Sequence, residues 1–166
     1  MSLIINSKEI EAIFFDFDGV FTNNKVWTSS TGDEFVVCSK KDSLGIDIFR
    51  QFLDLQKIEL RMAIISREKN SVVEYRAKKL NLECHSGISD KVECIDGIFK
   101  TKRNSYIFFG NDSNDIGAMK GASLSLAPSD AEPDVLAVAS FIGKQRGGEG
   151  FVREGLEYIT SLIEKG

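Results

Sequence analysis

Phe14-Phe15-Asp16-Phe17-Asp18-Gly19-Val20-Phe21-Thr22 is the stretch on which the reading of this sequence turns. Residues 10–15 leading into it are apolar and β-rich, the composition of a strand buried on both faces. The run ends on two carboxylates two residues apart and a glycine. Working outward, residues 60–65 and 106–109 repeat the short apolar pattern, with weaker strands predicted at 123–127 and 141–143. Helical periodicity separates them. Residues 43–55 place Leu44, Ile48, Phe52 and Leu55 at steps of three and four, and residues 71–80, 90–99, 115–120 and 151–163 read alike. Strands alternating with helices predict a parallel sheet covered on both faces, joined by right-handed crossovers. In such sheets ligands bind beyond the carboxyl ends of the strands, where the Asp16–Asp18 pair falls. Residues 25–37 break the rhythm: Val26 and Trp27, then Phe35, Val36 and Val37, flank a 29–33 turn, predicting a β-hairpin inserted after the first strand.

The chain has 166 residues, expected to form a single domain over 1–166. Its net charge of −4 and lack of a dense Lys/Arg run argue against nucleic acid as a main partner. No apolar run approaches a membrane span and no leader opens the sequence, so a membrane partner is not expected. Cys38, Cys84 and Cys94 are odd in number and never spaced C-x-x-C, which suits free thiols in a reducing cytoplasm. His85 is the lone histidine and a poor candidate for nucleophilic chemistry.

The carboxylate pair suits covalent phosphoryl transfer. Asp16 attacks phosphorus, dividing a slow hydrolysis into two faster steps. Asp18 protonates the leaving oxygen and later deprotonates water. Gly19 lets the backbone turn tightly beside a phosphate. Other strand ends supply the rest: Ser66 after Ala63-Ile64-Ile65, Lys91 opening a helix after Ser89-Asp90, and Gly110-Asn111-Asp112-Ser113-Asn114-Asp115 after Ile107-Phe108-Phe109, the last offering oxygen ligands for Mg2+.

This ordered set resembles the haloacid dehalogenase superfamily of phosphohydrolases over nearly the whole chain. The resemblance implies a three-layer α/β sandwich with a Rossmann-like parallel sheet, Asp16 as nucleophile and Asp18 as general acid/base. It also implies Mg2+ held by the Asp16 carboxylate, the Asp18 carbonyl and the last motif (Asn111, Asp112 or Asp115). Spacing leaves no room for a cap domain. That is similar to the capless branch of 3-deoxy-octulosonate 8-phosphate and 2-keto-3-deoxynononate 9-phosphate phosphatases, which implies a homotetramer whose hairpins cover neighbouring active sites.

Within that branch, Asp42-Ser43-Leu44-Gly45-Ile46 and Gly147-Gly148-Glu149-Gly150 resemble the nononate enzymes. So do Glu68, Arg76 and Lys79, which the resemblance places near the sugar acid. The leading expectation is therefore a nononate (sialic-acid-type) 9-phosphate, with octulosonate 8-phosphate as the alternative. Two positions depart from the pattern. Asn111 stands where the family usually has a metal-binding aspartate, and Arg67 replaces a small residue, commonly Gly, after the motif serine. Those departures keep open a second alternative: the phosphatase-like tetramerisation domains attached to sialic-acid cytidylyltransferases.

Overall fold

The computed structural model describes residues 9–163. Six parallel strands form one sheet in the order β5-β4-β1-β6-β7-β8. They are β1 (Ala12–Phe15), β4 (Arg61–Ile65), β5 (Glu83–His85), β6 (Tyr106–Phe109), β7 (Leu124–Ala127) and β8 (Phe141–Ile142). A separate antiparallel hairpin, β2 (Thr22–Thr28) with β3 (Glu34–Cys38), leaves the carboxyl end of β1 where the sequence placed it.

The strands are apolar throughout because both of their faces are covered. Ile13 and Phe15 of β1, with Ile107 and Phe109 of β6, pack under α1 (Lys40–Gln56), α2 (Ser71–Lys79) and α6 (Phe151–Ile163). Their neighbours Ala12, Phe14, Tyr106 and Phe108 point the other way. They meet α3 (Lys91–Cys94), its π-helical continuation Ile95–Phe99, α4 (Ile116–Gly121) and α5 (Pro133–Leu136). Period-two alternation thus divides each strand between two cores, which makes three layers.

The periodicity in α1 was read on the wrong face. Ile46, Phe49 and Leu53 are buried, whereas Leu44, Ile48 and Leu55 are exposed, Leu55 by 81 %. The helix carries two apolar stripes, and the stripe that packs is the one facing α6. Strand β5 and helix α5 were not predicted at all. The first is three half-buried residues at the sheet edge, and the second is four residues after Pro133. The three cysteines are unpaired. His85 pairs with Glu83 and packs edge-on to Phe99.

Strand β1 lies between β4 and β6, with Phe15 level with Ile64 and Phe109. The residues leaving these three strands (Asp16, Ser66, Gly110 and Asn111) therefore emerge side by side on the carboxyl edge.

Candidate active site

Asp16 is fixed before its side chain makes any contact, since its N–H donates to the Phe109 carbonyl at 2.9 Å, one residue past the strand. The chain then turns through Gly19, whose φ of +80° is a left-handed value that glycine adopts freely. A Cβ there would fall 1.9 Å from the Asn111 side-chain amide, so the residue must also be small. Thr22 closes the loop. Its Oγ1 accepts the N–H groups of Gly19 and Asn24 and donates to Asp18 Oδ1 at 3.2 Å. Thr22 thus orients the second carboxylate, a role the sequence reading did not assign.

Lys91 is buried between two carboxylates, 2.6 Å from Asp16 Oδ1 and 2.6 Å from Asp115 Oδ1. It opens α3, whose first N–H groups are capped by Asp90. Burial alone would lower its pKa, but attraction to Asp16 and Asp115 outweighs that and raises it, so the ammonium stays charged. Burial pushes Asp16 up to about 7, with Lys91 opposing and Asp115 adding to the rise. The triad holds two negative charges against one positive, in a site with little water. A further cation beside Asp16 would complete the balance.

Asp115 is not aimed at a metal. Its Oδ1 takes Lys91, and its Oδ2 accepts the N–H groups of Asn111 (2.9 Å) and Asp112 (3.2 Å). It is the post that holds both the lysine and the metal-side loop, a supporting position behind the metal-facing oxygens. Asp112 turns Oδ1 back onto the Ser113 N–H at 2.6 Å, closing a capping box with Asp115. That leaves Asn111. One end of its amide lies 2.7 Å from the Asp18 carbonyl oxygen and 3.2 Å from Asp16 Oδ2. With nitrogen at that end, the amide donates to both. With oxygen there, three oxygens face one another, which only a shared cation makes favourable.

Oxygens sharing an octahedral Mg2+ at 2.0–2.1 Å stand about 2.9 Å apart, close to the spacing seen here. The all-oxygen set of Asp16 Oδ2, the Asp18 carbonyl and Asn111 Oδ1 therefore fits Mg2+. Among the described residues no three His, Cys, Asp or Glu side chains gather as a metal cluster. One carboxylate, one carbonyl and one amide is a sparse set in charge, as Asn111 had suggested.

Above these groups opens a cavity of about 270 Å3, with Asp16, Asp18 and Ser66 at its buried end and Arg67 and Glu68 at its exposed side. Asn24 and Asn114, which the sequence did not flag, also line it. Ser66 Oγ accepts the Glu68 N–H at 3.1 Å and shapes the loop. Burial raises the pKa of Asp18; the Thr22 hydrogen bond opposes this and the Glu68 charge adds to it, as suits a proton donor. A second cavity of about 230 Å3 shares Asp18, Asn24 and Glu68 and runs on between the hairpin and α2.

Glu68 reaches the site, but Arg76 and Lys79 do not line it. Arg76 donates to Ser39 O and Ser43 Oγ across to α1, and Lys79 is exposed on α2. The two loop motifs also meet each other before they meet any substrate. Asp42 Oδ1 accepts the Arg153 N–H at 3.1 Å, bringing α1 onto the start of α6. Gly147 lies so close to the catalytic loop that a Cβ would come within 1.9 Å of the Gly19 carbonyl oxygen. The second motif braces the turn that carries Asp18, its Gly148 N–H donating to the Val20 carbonyl, and the first anchors α6 behind it.

The comparisons agree with this geometry. The profile of the haloacid dehalogenase-like hydrolases matches residues 3–153, and the chain belongs to that family. It is 27% identical to the 3-deoxy-D-manno-octulosonate 8-phosphate phosphatase KdsC of Yersinia pestis, over 98% of this chain and 86% of the relative. It is 29% identical to N-acylneuraminate cytidylyltransferase B of Danio rerio over 89% of this chain, but spans only 35% of that longer protein. Among solved structures, the octulosonate 8-phosphate phosphatase of Moraxella catarrhalis, in complex with magnesium, phosphate and KDO, superposes with a TM-score of 0.85 at 25% identity. The superposition covers 96% of this chain and 90% of that one.

Proposed function

We propose that the chain is a Mg2+-dependent phosphomonoesterase that removes the terminal phosphate of a 2-keto-3-deoxy sugar acid through an aspartyl-phosphate intermediate. The observation that carries this reading is the division of Asp16 between a buried cation and a set of neutral ligand groups. Its Oδ1 faces Lys91, and its Oδ2 faces the Asp18 carbonyl and Asn111.

Bound at Asp16 Oδ2, the Asp18 carbonyl and Asn111, Mg2+ would offset charge on the phosphoryl oxygens and on the nucleophile. The protein does the remaining work. Asp16 Oδ1 attacks phosphorus, the bond from phosphorus to the sugar oxygen breaks, and Asp18 gives that oxygen its proton. Ser66 and Lys91 hold the transferring group. Asp18, now ionised, takes a proton from water, whose oxygen attacks the phosphoryl group and releases phosphate and Asp16. Thr22 keeps Asp18 pointed at the reacting oxygen through both steps.

Two sugar lengths are favoured by different observations. The octulosonate 8-phosphate reading is supported by relatives of that name and by the Moraxella structure. The nononate 9-phosphate reading is supported by the match to an N-acylneuraminate enzyme and by Glu68 lining the cavity. A kcat/KM panel of both phosphates with Mg2+ separates them, because the true substrate exceeds the other by tenfold or more on ordinary pocket discrimination of about 1–3 kcal/mol. Release from both no faster than by an Asp16→Asn control would leave the tetramerisation-module reading instead.

The oligomer proposed with this function is a homotetramer. Trp27 of the hairpin is 70 % exposed and shares its face with Phe35 and Val37, an apolar ribbon with free edges. No helix among the described residues is long and apolar enough to cross a membrane. The three free thiols suit the reducing cytoplasm proposed as its location.

A further inference from the structure

The catalytic cavity contains one cation for which the reaction above has no use. Arg67 follows Ser66 directly, lines the cavity and is exposed. No hydrogen bond or ion pair ties its guanidinium to another residue among those described. Its other charged residues are all acidic: Asp16, Asp18, Glu68 and Asp112 contribute four carboxylates, and Arg67 is the one cation in the lining. Lys91 cannot serve a second anion at the mouth, because it is buried and held 2.6 Å from both Asp16 and Asp115. The cations expected to meet the sugar acid, Arg76 and Lys79, are not in the lining.

We propose that Arg67 is the receptor for the substrate's carboxylate and sets the preference for sugar acids over neutral phosphate esters, an inference that rests on the phosphatase reading. The position assigns it the carboxylate and not the phosphate. A phosphate under attack sits at the buried end, beside Asp16 and Ser66, which are 6% and 1% exposed. Arg67 and Glu68 stand at the open side, where the far end of the substrate lies. A planar guanidinium meets a carboxylate through two parallel N–H···O bonds, and Glu68 is placed beside it to accept sugar hydroxyls. The small residue common in the family at position 67 would leave this cavity with no cation of its own at the mouth.

The test is a ratio. With Mg2+ present, kcat/KM is measured for the sugar-acid phosphates and for p-nitrophenyl phosphate, which has no carboxylate, in wild type, Arg67→Gln and Arg67→Lys. Arg67→Gln is expected to lower the acid-to-ester ratio roughly 5- to 30-fold, mainly through KM for the acid, with Arg67→Lys recovering part of the loss. An unchanged ratio overturns the proposal, as does an equal loss on both substrates, which would place Arg67 on the phosphate. A second measurement stands apart from turnover: calorimetric binding of the unphosphorylated eight- and nine-carbon acids, which cannot be turned over, to Mg2+-loaded wild-type protein. Adding Arg67→Gln is expected to weaken that binding by a similar factor, and equal affinity overturns the proposal. Should wild type release phosphate from no substrate, the phosphatase reading fails while this binding result still decides on Arg67.

Discussion

The two oxygens of Asp16 look onto two differently built regions. On the Oδ1 side, a buried ammonium lies at 2.6 Å, itself held by Asp115, which also pins the 111–112 backbone. Every group there has its partner. On the Oδ2 side stand a carbonyl and a neutral amide whose contacts suit a hydrogen-bond donor as well as they suit a metal ligand. The first region has its hydrogen bonds made but keeps one negative charge in excess, whereas the second offers that excess a cation site with little charge of its own. One side of the nucleophile is thus tuned for rigidity and the other for exchange.

Removing the nucleophile breaks both sides at once. Asp16→Asn is expected to reduce phosphate release by roughly a thousandfold or more, as loss of a covalent nucleophile does. A steady-state phosphate assay with purified variant checks it.

On the rigid side, Lys91→Met leaves Asp16 and Asp115 buried without their cation. A loss of about 3–5 kcal/mol in urea-unfolding stability is expected. A loss under about 1 kcal/mol, the value of an exposed pair, would mean that the triad is not the closed unit described.

A buried carboxylate at the junction of α1 and α6 offers a pH test. Burial raises Asp42 to about 6, against the pull of the Arg153 N–H and the Arg76 charge. A raised carboxylate binds its proton more tightly folded than unfolded. The penalty for ionising it is therefore absent below about pH 4 and grows until about pH 6. Relative to Asp42→Asn, the wild type is expected to lose about 1–3 kcal/mol of stability over that window. Parallel stability curves for the two proteins would show that the carboxylate pays no burial penalty.

The smallest change falls on the open side. Asn111→Asp adds one charge to the metal's ligands and is expected to tighten Mg2+ about tenfold by calorimetry. Unchanged or weaker affinity would remove Asn111 from the ligand set.

Much of the fold was legible because the strands declare themselves. Segments 12–15, 62–65 and 106–109 are apolar whichever way they face, and polar groups follow: Asp16, Ser66 and, one glycine further on, Asn111. Asp16, Asp18, Ser66, Lys91 and Asn111 could be found for the same reason. The face of α1 could not, since Leu44, Ile48 and Leu55 make as good a stripe as Ile46, Phe49 and Leu53 until α6 is in place. The role of Thr22 was hidden in hydrogen-bond geometry, which spacing does not encode. Arg76 stands outside the cavity lining because a cation on a helix face reaches the carbonyl and hydroxyl of a neighbouring helix as readily as an anion.

The central claim is that Asp16 becomes phosphorylated. Asp18→Asn protein supplied with Mg2+ and p-nitrophenyl phosphate, whose leaving oxygen needs no proton, forms the intermediate but has no base to break it down. Acid quenching followed by peptide mass spectrometry is predicted to find one phosphoryl group on the peptide containing Asp16, absent when Asp16 is also changed to Asn. Nitrophenol release with no phosphorylated peptide, or a label on another residue, would contradict the account.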